Sequence, residues 1–343
     1  MTRFDVFNGD ADGICALHQL RLTQPVQATL ITGTKRENRL LPLIDAGAGD
    51  TVTALDIAMP GNRQALEQML ARGAHVRYID HHEPGDIPTH PNLDALIDTD
   101  PQVCTSVLVD RLLDGAARRW AIVGAYGDNM RQAATRLADA LQLDEATRAR
   151  WRELGECLNY NAYGVTLQDL LYPPEQLYRA VSPFADPDEF IAKQPHFERL
   201  STARAADLLQ AEHAPVRTCA SGARIYQLDD ANWARRVFGS FANHRANIEP
   251  TLVHAVIAPR SGAGSVTPEQ NPEAASEQNR CYVVSVRVPH GAAVSAHTLC
   301  TRFGGGGRAR AAGIDYLGAD QLDAFADALA RAYPQPCKTE PTP

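Results

Sequence analysis

The chain has 343 residues, 44% hydrophobic and 22% charged, and a formal net charge of −8 at neutral pH. This length exceeds what one hydrophobic core usually organises, so we expect two domains, and the composition excludes a disordered or fibrous protein. The negative charge argues against a protein that grips long duplex nucleic acid by its backbone.

The amino terminus has no signal-peptide pattern, and no apolar run approaches the length of a membrane span. We therefore expect a cytoplasmic protein with no membrane partner. The seven cysteines include no C-x-x-C pair, which favours reduced thiols over a zinc knuckle or a disulfide framework.

Residues 1–213 hold 20 basic and 30 acidic side chains, whereas residues 214–343 hold 13 basic and 11 acidic ones. This asymmetry suits a metal site in the first part and a small phosphate-bearing ligand in the second.

A short strand is predicted at residues 4–7 and a helix at residues 14–20, with the loop NGDADG between them. Strand, acidic glycine loop and helix form the start of a βαβ unit. Asp10 and Asp12 are two residues apart in that loop and can face one cation. Calcium loops and plain turns share the D-x-D pattern, so it is weak evidence by itself.

Further strands along the chain also end in polar residues. After a strand at 28–31 and a helical pattern at 39–46, a buried strand at 51–55 ends in Asp56. A helix at 62–72 leads to a strand at 75–79, which ends in Asp80, His81 and His82. Ligands of open α/β sheets bind at the carboxyl ends of the strands, so this repetition favours a site over separate turns.

A helical pattern covers residues 103–113, and a fourth acidic residue, Asp128, comes after the next helix. The apolar segment 120–125 predicts a buried helix, and Asp128 stands at its end. Helical patterns continue to about residue 171. The proline-containing residues 172–213, with a helix at about 203–211, are interpreted as a connector between the domains.

The second domain shows a strand at 223–228, a helix at 231–245 and a strand at 252–257. Residues 259–279 are predicted to form a mobile loop. The strand at 281–288 places Ser285 and Arg287 on one face. A helix at 295–302 precedes the run FGGGGRARAAG at 303–313, and a terminal helix is predicted at 319–332. Four glycines beside arginines can offer backbone amides to an anion.

In this order and spacing, these residues resemble the DHH phosphoesterase superfamily, in the subfamily with a DHH-associated C-terminal domain. The loop at 9–13 matches the first motif, Asp56 the second, residues 80–82 the signature and Gly127-Asp128 the fourth. Ser285, Arg287 and residues 303–313 match the C-terminal domain, so the resemblance covers almost the whole chain. It implies an α/β fold with a parallel-sheet domain (1–171), a connector (172–213), a smaller mixed α/β domain (214–335) and an active-site cleft between the domains.

The resemblance also implies two divalent metals per site, usually Mn²⁺. Asp56 would bridge the ions, Asp10 would bind one, and Asp12, His81 and Asp128 would bind the other. Two ions about 3.5–4 Å apart can stabilise both the attacking and the leaving oxygen. Carboxylate-rich sites suit Mn²⁺ or Mg²⁺ better than Zn²⁺.

For the remaining motif residues, the resemblance implies support and substrate contacts. Asp80 would support the metal site and His82 would contact the scissile phosphate. The predicted substrate-binding residues are Arg287, Gly305, Gly306, Gly307 and Arg308.

Two residues depart from the family pattern. Asn8 stands where many relatives have a further acidic or histidine ligand, so we expect the first metal to bind more weakly or to carry an extra water. Arg308 stands where the family has a histidine after its glycines, which puts the usual substrate contact in doubt.

The leading interpretation is a metal-dependent phosphodiesterase that hydrolyses short linear oligonucleotides, dinucleotides such as pGpG or pApA among them, to mononucleotides. The alternatives are a RecJ-type exonuclease on longer single strands, a hydrolase of cyclic dinucleotides, and a nucleotide-binding protein with a decayed site. The RecJ-type alternative is disfavoured because we expect such enzymes to carry an added nucleic-acid-binding domain. The sequence leaves substrate length, base preference and oligomeric state open, with a homodimer among the alternatives.

Overall fold

The computed structural model describes residues 1–260 and 281–337. The chain divides into two compact units, Met1–Arg204 and Ala205–Pro343, and each unit contains its own sheet. Most of the loop predicted at 259–279 lies outside the described residues. The segment predicted as a connector contributes to both units through three helices: α7 (Pro174–Val181), α8 (Pro187–Lys193) and α9 (Pro195–Glu212).

The first unit is built around a parallel sheet of five strands in the order β2-β1-β3-β4-β5. These strands are β1 (Arg3–Asn8), β2 (Thr29–Gly33), β3 (Thr51–Leu55), β4 (His75–Asp80) and β5 (Leu93–Ile97). Consecutive residues at the ends of the central strands are fully buried, for example Val6 and Phe7 in β1. Burial of consecutive residues means that both faces of the sheet are covered, as parallel sheets require. The predicted parallel α/β domain is confirmed.

Six further helices belong to this unit: α1 (Ala11–Thr23), α2 (Met59–Ala71), α3 (Thr105–Leu112), α4 (Arg118–Gly127), α5 (Arg131–Ala140) and α6 (Glu145–Ala162). Helices α1 and α6 both pack on α4, and their close approach depends on two glycines. A Cβ atom on Gly127 would lie 2.2 Å from Cβ of Ala11, and one on Gly155 would lie 2.2 Å from the carbonyl oxygen of Val123. The missing side chains therefore let α4 end beside the start of α1.

The helix predicted at residues 39–46 is wrong. Only Leu41–Leu43 forms a single 3₁₀ turn there, and extended or irregular backbone surrounds it. Pro42 cannot donate a helical hydrogen bond, and the buried side chains of Leu40 and Leu41 are adjacent rather than one helical turn apart. Asn62 also holds this segment, because its side chain accepts a hydrogen bond from the Leu41 amide and donates one to the Asn38 carbonyl.

The second unit contains a mixed sheet, and its described strands have the order β10-β11-β9-β8-β7-β6. The strands are β6 (Val216–Ala220), β7 (Ala223–Gln227), β8 (Val253–Pro259), β9 (Cys281–Arg287), β10 (Gly306–Gly307) and β11 (Ala311–Gly318). The helices are α10 (Asn232–Ile248), α11 (Ala296–Thr301) and α12 (Leu322–Ala332). β7 and β8 are parallel and joined through α10, while the other neighbours are antiparallel. The predicted mixed α/β second domain is confirmed.

The core of the second unit lies between the sheet and the helices α11 and α12. Val253, Val284, Leu299 and Phe325 are among its fully or almost fully buried members. No helix among the described residues combines the length and the apolar character that crossing a membrane requires.

Candidate metal centre

Acidic and histidine side chains meet at the carboxyl edge of the first sheet. Asp10, Asp56 and Asp80 stand at or just after the ends of β1, β3 and β4, which are neighbours in the sheet. Each of these carboxylates is at most 2% exposed. The repetition of acidic strand ends in the sequence thus becomes one buried cluster, because parallel strands end at the same edge.

Asp10 is the amino-terminal cap of α1. Its Oδ1 accepts hydrogen bonds from the amides of Asp12 and Gly13 at 3.0 and 3.1 Å. Gly13 is required by close packing, since a Cβ there would lie 2.2 Å from the Asn8 carbonyl oxygen. The Asn8 side chain accepts a hydrogen bond from the Asp10 amide at 3.3 Å. Asn8 therefore shapes the loop that presents the two aspartates.

Asp12 belongs to α1, and its side chain contacts the amino terminus of α3. Unpaired amides at a helix amino terminus attract negative charge. The two carboxylate oxygens of Asp12 accept hydrogen bonds from the amides of Thr105 and Ser106 at 2.8 and 2.7 Å. The Ser106 hydroxyl donates to the Asp12 carbonyl at 2.9 Å. The two amide bonds fix the orientation of the buried carboxylate, and the hydroxyl bond holds the backbone beside it.

Asp56 has a left-handed backbone conformation, with φ of 57°. Aspartate tolerates this region better than most residues, and the turn directs the chain away from the end of β3. Oδ1 of Asp56 accepts a hydrogen bond from the Thr105 hydroxyl at 3.2 Å. The same residue of α3 therefore contacts both Asp12 and Asp56.

His81 connects the carboxylates around it. Its Nδ1 lies 2.8 Å from the carbonyl oxygen of Val103 and therefore carries the proton, since a carbonyl can only accept. In the neutral ring, Nε2 then has a lone pair. This nitrogen lies 3.4 Å from Asp56 Oδ1 and 3.9 Å from one oxygen each of Asp12 and Asp128. A lone pair and three carboxylates facing one another is an arrangement that a cation would stabilise.

Asp80 and His82, on either side of His81 in the sequence, are hydrogen-bonded to each other. Nδ1 of His82 donates to Asp80 Oδ1 at 2.8 Å, and the rings of His81 and His82 meet edge to face at 4.5 Å. Asp80 is completely buried, and its Oδ2 has no hydrogen-bond partner among the described residues. The side chain of His82 is 38% exposed, so it is the accessible member of the pair.

The pKa shifts reflect burial and crowding of like charges. Burial raises the pKa of Asp12, and the charges of Asp128 and Asp10 add to this effect. Burial, followed by the charges of Asp10 and Asp12, raises the pKa of Asp56 well above its ordinary value. Burial alone would also raise the pKa of Asp10, but the charge and hydrogen bond of Lys35 outweigh it and lower the pKa.

The donor set fits a divalent cation. Two groups of side chains have ligand atoms within 4.8 Å of one another: Asp12, His81 and Asp128 form one, and Asp56, Asp80, His81 and His82 form the other. Hard carboxylate oxygens with one or two imidazoles suit Mn²⁺ or Mg²⁺. All five predicted metal ligands lie at this edge, and Asp10, which contacts Lys35, is outside both of the closely spaced groups. Metal ligation by each residue stays a prediction.

Sequence analysis missed Lys35 and Asn159. The Lys35 ammonium group contacts Asp10 Oδ2, donates a hydrogen bond to Asn159 Oδ1 at 3.0 Å, and lies 3.6 Å from Asp128 Oδ1. Lys35 follows the end of β2 by two residues, so the rule that polar strand ends form sites could have identified it. Asn159 lies within α6 and gives no comparable signal.

In the second unit, β11 lies between β9 and the glycine strand β10. Arg287 ends β9 and pairs in register with Ala311 of β11. Its Nε donates to the Asn243 side chain at 2.6 Å, and its NH1 donates to the Ser285 hydroxyl at 2.9 Å. Asn243, on α10, was not predicted from the sequence. It fixes the guanidinium plane together with Ser285.

The glycine run forms a tight hairpin. Gly306 and Gly307 make up β10, and Gly307 has φ of 139°, a conformation that only glycine adopts readily. A Cβ on Gly305 would lie 2.2 Å from the Gly313 carbonyl oxygen. The Arg308 amide donates to the Ala311 carbonyl at 2.8 Å, which places Arg308 at the exposed end of the hairpin.

No family model and no curated protein sequence matches the chain. Solved structures do match over almost its whole length. Exonuclease RecJ bound to manganese is 17% identical and has a TM-score of 0.56, covering 96% of this chain and 90% of RecJ. The chain therefore shares the fold of this RecJ structure.

Two further structures share the DHH fold with this chain. The pGpG-specific phosphodiesterase PggH from Vibrio cholerae is 12% identical, with a TM-score of 0.51, covering 96% of this chain and 98% of PggH. The DHH domain of a protein assigned to a family of ribosomal proteins is 12% identical, with a TM-score of 0.59, covering 98% of this chain and 87% of that domain. At these identities the likeness concerns the fold alone.

Proposed function

We propose that this chain is a divalent-metal-dependent phosphodiesterase that hydrolyses short linear oligonucleotides, dinucleotides such as pGpG and pApA among them, to mononucleotides. The observation that carries the proposal is the buried cluster of aspartates and histidines at the carboxyl edge of a DHH fold. An exonuclease and a pGpG-specific phosphodiesterase share that fold. The net charge of −8 supports a short substrate over a long one, because long strands bind through many phosphate contacts.

Asp12, His81 and Asp128 would hold the cation, with Asp56 beside them. A bound Mn²⁺ or Mg²⁺ would act as a Lewis acid on a phosphoryl oxygen. Hydrogen bonds within the chain support this assignment. The amides of α3 orient Asp12, and the Val103 carbonyl fixes the His81 tautomer, so the ligand atoms already face one another.

His82 would contact the scissile phosphate. Burial would lower the pKa of His82, but its hydrogen bond to Asp80 and the charges of Asp80 and Asp56 outweigh that effect and raise the pKa. The raised pKa favours the charged ring. With Nδ1 donating to Asp80, Nε2 of the charged ring is the remaining donor, and the side chain is exposed enough to reach a substrate oxygen.

We assign binding of a terminal phosphate to the second unit. Arginine can hold two phosphate oxygens at once, and glycine amides can approach an anion closely. Arg287 of β9 is positioned by Asn243 and Ser285 and pairs with Ala311 of β11. The hairpin of Gly305, Gly306 and Gly307 presents Arg308, whose amide donates to the Ala311 carbonyl. These features support an anion site built from one oriented guanidinium and one exposed end of a hairpin.

The experiment is product analysis on single-stranded RNA and DNA of two to twelve nucleotides, with Mn²⁺ and with a chelator as the control. We expect roughly tenfold or faster cleavage of dimers than of twelve-mers, and a shallow dependence on salt because few phosphates are contacted. Equal or faster degradation of the long strands would favour the RecJ-type exonuclease, which the likeness to RecJ keeps as the second candidate.

Two other outcomes would contradict the proposal. Cleavage confined to cyclic dinucleotides would contradict the proposed linear substrate but retain metal-dependent phosphodiester hydrolysis. Binding of dinucleotides without turnover in Mn²⁺ or Mg²⁺ would favour the nucleotide-binding protein with a decayed site.

A further inference from the structure

Lys35 places a fixed positive charge inside the acidic cluster. Its ammonium group contacts Asp10 Oδ2, lies 3.0 Å from Asn159 Oδ1, and is 3.6 Å from Asp128 Oδ1. Three oxygen atoms, two of them from aspartates, therefore surround one cation. Carboxylates around a cation is also the environment expected of a metal ion in this cluster.

The position of Lys35 is built by the end of α6. The Lys35 amide donates to the Ala162 carbonyl at 2.9 Å, and Nζ lies 5.6 Å from the centroid of the Tyr163 ring. A cation near an aromatic face is attracted to it. Asn159, which accepts from Nζ, is almost fully buried. Backbone, ring and amide together hold the side chain, which is only 23% exposed.

Asp10 is the buried carboxylate that Lys35 contacts directly. Its Oδ1 accepts two amides of α1, and its Oδ2 contacts Lys35. Neither group of metal-ligating side chains found among the described residues contains Asp10. Asn8, which stands before it, is neutral and accepts a backbone hydrogen bond. The side of the cluster at Asp10 therefore already has its cation, supplied by the chain.

We propose that the Lys35 ammonium group takes the place of one of the two divalent ions, so that the protein binds a single divalent ion. The residues assigned to that ion are Asp12, Asp56, His81 and Asp128. The inference rests on the proposed function, which requires a bound divalent ion. It adds that the number of bound ions is one. Lys35 and the ion then share Asp128, which has one oxygen toward each.

An ammonium group differs from a divalent ion in what it can do. It carries one charge rather than two, and it donates hydrogen bonds rather than accepting lone pairs. Lys35 therefore neutralises Asp10 and supports the shape of the loop, and the Lewis-acid chemistry falls to the one remaining ion. Replacing Lys35 with a neutral side chain of similar length should leave Asp10 without a cation and open its side of the cluster to a second ion.

The experiment is a count of bound ions in the full chain. Metal-free protein is equilibrated with Mn²⁺, the ions per chain are measured by elemental analysis after dialysis, and the electron paramagnetic resonance spectrum is recorded. We expect one ion per chain and the six-line spectrum of an isolated Mn²⁺. In Lys35→Met we expect a second bound ion and the spectrum of a coupled pair.

Controls separate the charge of Lys35 from a general effect of lysine replacement. Lys193→Met removes an exposed lysine that pairs with Glu189 on α8, and it should keep one ion per chain. Lys35→Arg retains the positive charge and should also keep one ion. These comparisons need no enzymatic activity.

Each other result is decisive. Two coupled ions in the unaltered protein would overturn the inference while leaving the proposed function intact, and this result does not depend on the folding of any variant. One ion in both the unaltered protein and Lys35→Met would show that Lys35 does not exclude the second ion. No bound ion in any variant would overturn the proposed function as well.

Discussion

The first sheet contains two kinds of buried charge. Near the amino ends of β1 and β3, Asp5 is almost fully buried and forms an ion pair with Arg21, which also donates to the Thr53 hydroxyl at 3.2 Å. At the carboxyl edge, Asp10, Asp12, Asp56 and Asp80 are equally buried, and the Lys35 ammonium group contacts Asp10 and lies 3.6 Å from Asp128. Burial of an aspartate therefore does not by itself mark a site. An excess of buried negative charge predicts one, because a cation from outside the chain can balance it.

The comparison predicts opposite consequences for removing one charge from each region. A charge with a partner in the chain contributes to folding, and a charge that awaits an external cation contributes to chemistry. The expected effects below run from the largest to the smallest.

Asp56→Asn should lower turnover by about a thousandfold, or about 4 kcal/mol, because the charge of one metal ligand in the cluster is lost. Asparagine tolerates the left-handed conformation of this residue, so the metal-free protein should stay folded and not be destabilised. Turnover in Mn²⁺ and thermal unfolding without metal measure both effects. Asp94→Asn, which alters an exposed ion pair with Arg77, is the matched control. Retention of turnover within about tenfold would contradict the assignment of Asp56.

Asp5→Asn should have the reverse effect. Removing one partner of a buried ion pair leaves the Arg21 guanidinium without its counter-charge, so the free energy of unfolding should fall by roughly 3 kcal/mol. Turnover per folded molecule should be unchanged. Urea unfolding and steady-state kinetics decide the matter. A stable but inactive variant would mean that the two ends of the sheet are not divided between folding and chemistry.

His18 illustrates a third way of holding an ionisable group, as a buried neutral ring. Burial lowers the pKa of His18 from 6.5 to about 4, against the hydrogen bond to the Phe184 carbonyl, which would raise it. The unfolded chain takes up its proton near pH 6.5 and the folded chain only near pH 4. Stability is therefore present above pH 6.5 and is lost as pH falls toward 4, by about 3 kcal/mol.

His18→Gln should remove this component of the pH dependence. Urea unfolding of both proteins at several pH values between 4 and 7 measures the difference in slope. Parallel curves for the two proteins would show that His18 takes up its proton as readily in the folded chain as in the unfolded one.

Arg308→Ala extends the comparison to an exposed charge, whose removal should leave folding unaffected. Binding of a 5′-phosphorylated dinucleotide should weaken by about 1.5–3 kcal/mol, the range for a charged hydrogen bond. The same dinucleotide without that phosphate should be little affected. The ratio of kcat/KM values for the two substrates tests this, with the exposed Arg331→Ala of α12 as the control. An equal loss on both substrates would mean that Arg308 does not recognise the terminal phosphate.

The sequence by itself determined the parallel sheet and the placement of most acidic residues. The buried strands at 51–55 and 75–79 are short apolar runs that end abruptly in polar residues, so Asp56 and Asp80 could be placed at strand ends without knowledge of the fold. Parallel connections then oblige those ends to share an edge. The apolar run at 120–125 likewise predicted the helix whose carboxyl-terminal cap is Asp128.

Only the tertiary structure decided which ammonium group and which amides contact these buried carboxylates. Lys35 and Asn159 are 124 positions apart and meet because α6 packs on α4 and ends beside β2, a contact that depends on Gly155 and Gly127. Asp12 receives its hydrogen bonds from amides of α3, 93 and 94 positions away. Periodicity reports which face of an element is buried, and it contains no information on which distant amide or ammonium group will meet a buried carboxylate. That choice fixes the charge balance of the cluster, and with it the number of metal ions that we expect the protein to bind.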